Sequence, residues 1–325
     1  MADTYCMDYI GSKEKLNTWI FDEIEAEASY QGKVFLDGCT GSGSVSRFAA
    51  TRGYHVIACD SMYFPTRLVR GSIGVPDDAF QHISTMSELV GVDGFFYKNY
   101  SPAGGRLYFT EENARKIDAM RDYISSADEA AQPYLIYCGI EALSRISNTA
   151  GTHGAYLKEL KSRASMPYTI RHERIVAGTS EVYWCSLLDL LPQVTADVVY
   201  IDPPYNNRQY PPNYHLYETF ALNDSPIIGG KTGLRSGWQE TGSPFCKAKT
   251  ARQFFKDVVS AAQAPLVAIS YSSDGLITEE QLLGLWEEMN LPCRLVKREQ
   301  RRYKADKNRV YRDDALFEFL FLIKK

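Results

Sequence analysis

A short apolar run, Val34-Phe35-Leu36, ends in the glycine-rich Asp37-Gly38-Cys39-Thr40-Gly41-Ser42-Gly43, and a helical stretch from Val45 to Thr51, closed by Gly53, follows at once. The next run, His55 to Cys59, reads as a second strand with Asp60 at its carboxyl end. Strand, tight glycine turn, helix, strand is a unit whose two strands lie parallel, because the helix carries the chain back along the sheet. Few folds accommodate that opening.

The rest of the chain extends it. Leu16, Ile20 and Ile24 recur every fourth residue within Lys13 to Glu27, which predicts an amphipathic helix ahead of the first strand. Further strands are expected at Val182 to Cys185, Val198 to Ile201 and Leu266 to Ser270, with a final pair at Arg294 to Gln300 and Leu316 to Ile323. The fold class is therefore α/β, a mostly parallel sheet covered by helices on both faces. Residues 71–180 interrupt the alternation. Asn113 to Ser125 and Pro133 to Ile146 read as helices and Gly91 to Gly105 as a loop, so this stretch is expected to be an inserted, mostly helical subdomain, with 1–70 and 181–325 forming the main domain. Asn223 to Pro244, rich in glycine and without periodicity, reads as a long loop that binding would order.

In an open α/β sheet, ligands bind beyond the carboxyl ends of the strands. Gly38, Gly41 and Gly43 sit at such a place, but position 46 is Ser, so the spacing is not the G-x-G-x-x-G of dinucleotide sites. Asp60, at the tip of the next strand, could accept hydrogens from two ribose hydroxyls. These residues suit a nucleoside without a cradled pyrophosphate, and taken alone they are also compatible with a plain structural turn or, less so, an NAD site.

Asp197-Val-Val-Tyr-Ile-Asp202-Pro203-Pro204-Tyr205 is more specific: an apolar strand running into Asp-Pro-Pro-Tyr. The two prolines lock their own φ and restrict the residues before them, which fixes the carbonyl directions. The Asp202 carboxylate and the Pro203 carbonyl then form an acceptor corner for a planar amino group. Tyr205 offers a ring on which a base can stack. That corner suits an aromatic amine whose lone pair must be freed for attack on a methyl group.

With these residues the chain resembles the Dam-like, alpha-group adenine DNA methyltransferases, including those of type II restriction-modification systems. The resemblance implies a Rossmann-like, S-adenosylmethionine-dependent methyltransferase sheet with an inserted target-recognition subdomain. It also implies transfer of a methyl group to the exocyclic amine of adenine in DNA. In that family an aromatic residue and a Lys near the N-terminus help hold the cofactor, and Tyr9-Ile-Gly-Ser-Lys13 matches that stretch. The family's glycine motif corresponds to Phe35-Leu-Asp37-Gly-Cys-Thr-Gly41-Ser-Gly43, its ribose-binding acid to Asp60, and its catalytic motif to residues 202–205. Many relatives place an Asp before the helix after the third strand, to contact the cofactor adenine; here Ser186 stands at that point with Asp189 three residues on, and either could serve. Asn206-Asn207-Arg208-Gln209-Tyr210, Asn213-Tyr214-His215 and the stretch from Asn148 to Lys158 resemble a subset of the family, and make Lys158, Arg208, Tyr214 and His215 substrate-binding candidates. A lone His beside Tyr214 and Tyr217 could equally be a packing residue. Arg301, Arg302 and Lys304, between the last two strands, occupy the hairpin region that approaches target base and phosphates in this family.

Charge separates indiscriminate from local DNA binding. The net charge is −4, yet Arg294 to Arg312 holds nine Lys or Arg against two acids, and Lys231 to Lys256 six against one. The seven cysteines are scattered, without a Cys-x-x-Cys pair, and the five histidines add no ligand spacing, so no metal site is expected. No apolar run approaches the roughly 18 residues of a membrane span, and a cytoplasmic protein is expected. The partners expected are S-adenosylmethionine as cofactor, double-stranded DNA as substrate and, by the resemblance, a cognate restriction endonuclease. Rival readings are the same fold acting on a cytosine amine or on RNA, a protein-amide methyltransferase, against which Asp rather than Asn at 202 counts, and a non-catalytic DNA-binding subunit.

Overall fold

The computed structural model describes residues 7–27, 33–301 and 315–325. Its strands are β1 (Val34–Asp37), β2 (His55–Asp60), β3 (Ser180–Trp184), β4 (Val198–Ile201), β5 (Ile228–Gly229), β6 (Leu234–Arg235), β7 (Leu266–Ser272), β8 (Cys293–Arg301) and β9 (Ala315–Lys324). The helices are α1 (Asn17–Ala26), α2 (Ser44–Thr51), α3 (Tyr63–Arg70), α4 (His82–Glu88), α5 (Phe95–Tyr100), α6 (Glu111–Ser126), α7 (Gln132–Ile146), α8 (Leu187–Leu190), α9 (Tyr210–Leu222), α10 (Ala248–Ala261) and α11 (Glu279–Glu288).

Seven strands form one sheet in the order β3-β2-β1-β4-β7-β9-β8. The first five are parallel, and β9 runs antiparallel between β7 and β8. Every residue of β4 and β7 is buried, as continuous apolar runs require when both sheet faces are covered. Alternate residues serve alternate faces. Leu36, Ile57, Val199 and Val267 pack with Leu187 of α8, Phe255 of α10 and Trp286 of α11, whereas Phe35, Val56, Val198 and Ala268 pack with Ile20 and Phe21 of α1 and Ala49 of α2. From β1 the chain passes to β2 on one side and the sheet continues to β4 on the other, so the order reverses at the carboxyl end of β1. A crevice opens there.

Residues 71–180 are mostly helical, and α4 to α7 share one apolar cluster with α3 and α9. In α7, 13 of 15 residues are buried, in keeping with a helix apolar on all sides. A side chain at Gly139 would stand 2.3 Å from the Phe220 ring of α9, so the absence of a Cβ sets that approach. Truncating Leu143, fully buried in the same helix, would cost about 2 to 5 kcal/mol.

Two stretches differ from expectation. Gly91 to Gly105 is not all loop: Phe95–Tyr100 is helical because Asp118 of α6 accepts the Phe96 and Tyr97 N–H groups at 2.8 Å each, a cap supplied from another helix. Asn223 to Pro244 contains the β5–β6 hairpin, whose turn is held by its carbonyls. Arg106 donates to Gly230 and Lys231 and the Tyr100 hydroxyl to Gly233, while the Tyr108 hydroxyl shares its hydrogen between Thr232 O at 3.1 Å and His153 O at 2.7 Å. Side chains distant in the sequence thus do what local periodicity could not signal. Among the described residues no helix is long and apolar enough to cross a membrane.

Candidate active site

The crevice at the carboxyl ends of β1, β2 and β4 holds a cleft of about 290 Å³. One wall is the turn after β1, built of small residues from Gly38 to Ser42. Gly38 N–H donates to Tyr200 O on β4 and Thr40 N–H to Cys59 O on β2, which ties the turn across the switch point. Asp37 lies behind it, 1 % exposed, accepting from Ser46 Oγ of α2 at 2.6 Å, and burial pushes its carboxyl up to about 7. Gly43, left-handed at φ 73°, starts α2. Gly41 is also left-handed, and a Cβ there would meet the Tyr9 ring at 2.9 Å.

Tyr9 arrives with the N-terminal segment, which α9 anchors. Tyr9 stacks on Tyr214 with ring centroids 4.6 Å apart. The Tyr214 hydroxyl accepts from Ile10 N at 2.7 Å and the Tyr210 hydroxyl donates to Ile10 O at 3.1 Å. Tyr214, fully buried, therefore orders the cleft wall. His215 is buried beside it with Nε2 at 3.1 Å from His153 O; burial lowers its pKa to about 4, so it is neutral and part of the core.

Asp60 closes the second wall. Its oxygens accept from Gly41 N at 3.0 Å and Met62 N at 2.9 Å, leaving each a further lone pair, and burial raises its pKa to about 6 against those two N–H groups. At the start of α8 Ser186 faces the cleft without capping the helix through its side chain, whereas Asp189 is exposed and does not line the cleft.

Asp202, the residue after β4, lines the floor. Lys13 Nζ lies 2.8 Å from Asp202 Oδ1 and 3.3 Å from Glu318 Oε1 of β9, all three being largely buried. Burial pushes Asp202 up and Lys13 pulls it back; burial would lower Lys13, but Asp202 and then Glu318 outweigh it and hold the ammonium well above the usual lysine range. Pro203 is buried. Tyr205 is half-buried, its ring edge-on to Tyr271 and its carbonyl accepting from Leu276 N at 2.8 Å. Neither Pro203 nor Tyr205, whose ring packs against the core, is among the residues that line the cleft, and Arg208 and Lys158 are exposed and outside the lining too. Arg301 ends β8 opposite Ala315, while Arg302 and Lys304 lie outside the described residues.

Three contributors were not singled out from the sequence. Glu318 is an acid inside an apolar strand, which is a readable signal; Tyr210 and the segment from Glu240 to Phe245, which forms the far wall, carry none.

The comparisons with known proteins agree with this geometry. Residues 9–278 match the D12 class N6 adenine-specific DNA methyltransferases. The chain belongs to that family. It is 34 % identical to the type II methyltransferase M.NlaIII of Neisseria lactamica, covering 98 % of this chain and 99 % of that one. It is 31 % identical to M.CviAII of Paramecium bursaria Chlorella virus 1, covering 97 % of each. M.FokI of Planomicrobium okeanokoites is 34 % identical over 98 % of this chain, which spans 53 % of that longer protein. This D12 class methyltransferase therefore transfers a methyl group from S-adenosylmethionine to the exocyclic amine of adenine in DNA. The cleft fits that cofactor: a wall of glycines and small side chains that lets a ligand lie close to backbone, and a buried carboxylate with lone pairs to spare.

Proposed function

We propose that S-adenosylmethionine lies along the glycine turn, its ribose on Asp60, its adenine beside Ser186 and its amino-acid end near Tyr9 and Lys13. Asp189 is the alternative contact for the adenine, and Asp37, Gly41 and Gly43 shape the turn. The bound cofactor supplies a methyl group on a positively charged sulfur. The chain's own residues orient and stabilise the amine that accepts it.

The target adenine is buried in a duplex, so the enzyme extrudes it into the floor of the cleft. There Tyr205 stacks on the base, and the 6-amino group donates to the Asp202 carboxylate and the Pro203 carbonyl. Those acceptors favour the pyramidal nitrogen of the transition state over the flat ground state, which is the differential stabilisation that catalysis requires. The observation that carries this reading is a buried carboxylate at the end of β4, at the floor of the cleft. Residues 71–180, with Lys158, act in target recognition, and Arg208, Tyr214, His215, Arg301, Arg302 and Lys304 act toward the DNA, Tyr214 and His215 by ordering the elements that meet it. The full-length relatives named as type II methyltransferases support a restriction-modification role, with a cognate endonuclease as partner in the cytoplasm.

The test separates binding from chemistry. Asp60→Ala should weaken S-adenosylmethionine binding by calorimetry, whereas Asp202→Ala should keep most binding and lose methyl transfer. Equal loss of binding in both variants overturns the assignment.

A further inference from the structure

Glu318 is the only acid in the run from Ala315 to Ile323 of β9, opposite Ser272 of β7 and Arg298 of β8. Nothing in the packing of that strand calls for a carboxylate. The side chain is nonetheless buried, and Oε1 has no hydrogen-bond partner although Lys13 Nζ stands 3.3 Å away. Two of the ammonium's three hydrogens are engaged elsewhere: it donates to Gly11 O at 3.2 Å and sits 2.8 Å from Asp202 Oδ1. One buried cation thus stands between two buried carboxylates, fully engaged with one and short of the other. A charge-assisted N–H···O bond is about 2.7 to 2.9 Å long, so a movement of a few tenths of an ångström completes the second contact.

The arrangement bears on the reaction because Asp202 Oδ1 is already paired with a cation. While Lys13 holds Oδ1, the ammonium draws on the same negative charge that an arriving amine would use, although Oδ2 keeps lone pairs to accept with. We propose that Glu318 is a positioning residue that draws Lys13 from Asp202 as the target amine arrives, so that the full charge of Asp202 is turned on the amine hydrogen. Lys13 needs no proton transfer to do this, because its three hydrogens allow Gly11 O and one carboxylate to be held throughout. With Glu318 neutralised, the ammonium has no second seat, and leaving Asp202 would strand a buried charge. The cost then falls on the step in which the amine engages, and not on cofactor binding.

The proposal rests on Asp202 as the acceptor of the target amine, and the experiment distinguishes the two. Single-turnover methylation of unmethylated plasmid DNA is measured for Glu318→Gln, Glu318→Asp, Lys13→Met, the Glu318→Gln/Lys13→Met pair and Asp202→Ala, with calorimetry of S-adenosylmethionine binding on each. Glu318→Gln is expected to slow methylation at saturating DNA by at least about tenfold while the cofactor dissociation constant and the DNA KM stay within about threefold. Glu318→Asp, which keeps the charge but draws it back by one methylene, should fall between wild type and Gln. The pair should be no slower than Lys13→Met alone, because the two residues act as one unit. A Gln variant within about twofold of wild type, a loss seen in binding instead of rate, or additive losses in the pair each overturn the proposal. Should the Gln variant fail to fold, as read by circular dichroism, the Asp variant decides, and a wild-type rate in it is the overturning result. Activity surviving in Asp202→Ala removes the underlying reading; loss there beside an unaffected Glu318→Gln removes only this one.

Discussion

The side-chain amide of Gln209 grips Ser243 by both backbone groups, accepting from Ser243 N at 2.8 Å and donating to Ser243 O at 3.2 Å. This clasp joins the segment after Asp-Pro-Pro-Tyr to the far wall of the cleft, where Gly242 to Phe245 lie. Each such bond contributes about 0.5 to 1.5 kcal/mol net. Gln209→Ala removes both bonds, about 1 to 3 kcal/mol together, and should therefore loosen the wall and weaken S-adenosylmethionine binding by roughly five- to a hundredfold in calorimetry. Gln209→Glu cannot accept from Ser243 N and donate to Ser243 O at once, and should lose nearly as much. Unchanged affinity in both would mean that the wall stands without the clasp.

Asp37 gives a pH-dependent stability prediction. Its folded pKa, raised by burial to about 7, exceeds the ordinary carboxyl value of 3.8. The fold favours the protonated form, so the carboxyl contributes stability below about 4 that is lost as pH rises to about 7. Asparagine copies the protonated shape, can still accept from Ser46, and does not titrate. Asp37→Asn should thus melt several degrees above wild type at pH 8.5, with the gap closing toward pH 4. A gap independent of pH, followed by calorimetry or circular dichroism, would count against the buried carboxylate as its cause.

Part of the carboxyl-terminal basic stretch is committed within the protein. Arg294 is bonded to Glu23 and Glu27, and Lys297 lies 2.5 Å from Glu279, so both are engaged within the protein. Affinity for DNA should fall with salt by about 0.9 log unit per phosphate neutralised for each log unit of salt. Replacing Arg301, Arg302 and Lys304 by Ala should flatten that slope, whereas Arg294→Ala should leave it as it is. Filter binding across a salt series reads both, and an unchanged slope in the triple variant places the phosphate contacts elsewhere.

Base extrusion makes Tyr205 the residue to probe. Its carbonyl is pinned by Leu276 N, so substitution changes the ring more than the turn. Tyr205→Ala should lose stacking of about 1 to 3 kcal/mol on the target base, and Tyr205→Phe little. A mismatch opposite the target adenine should tighten binding by removing part of an extrusion cost of a few kcal/mol. A 2-aminopurine at that position should brighten on binding, although a stacked Tyr could mute the signal. If it stays dark, mismatches bring no gain and Tyr205→Ala methylates normally, the base is not extruded onto this ring.

The sheet and the two halves of the site were legible in sequence because their signals are local. A strand buried on both faces must be a continuous apolar run, and a backbone that turns tightly against a ligand needs glycine at fixed positions, so β1, β2, β4, Gly41, Asp60 and Asp202 announce themselves within a few residues. Tertiary structure decided whatever depends on a partner distant in the chain. Helix α5 exists because Asp118 caps it, the β5–β6 turn stands because Arg106, Tyr100 and Tyr108 hold its carbonyls, and Tyr214 and His215 face the interior because α9 kinks at Tyr214 and packs against residues 9–10 and 153. Lys13 and Glu318 lie at opposite ends of the sequence and meet only because β9 inserts beside β7, next to β4. An ion pair across that distance leaves no periodicity, since Coulomb attraction depends on separation in space and not on separation along the chain.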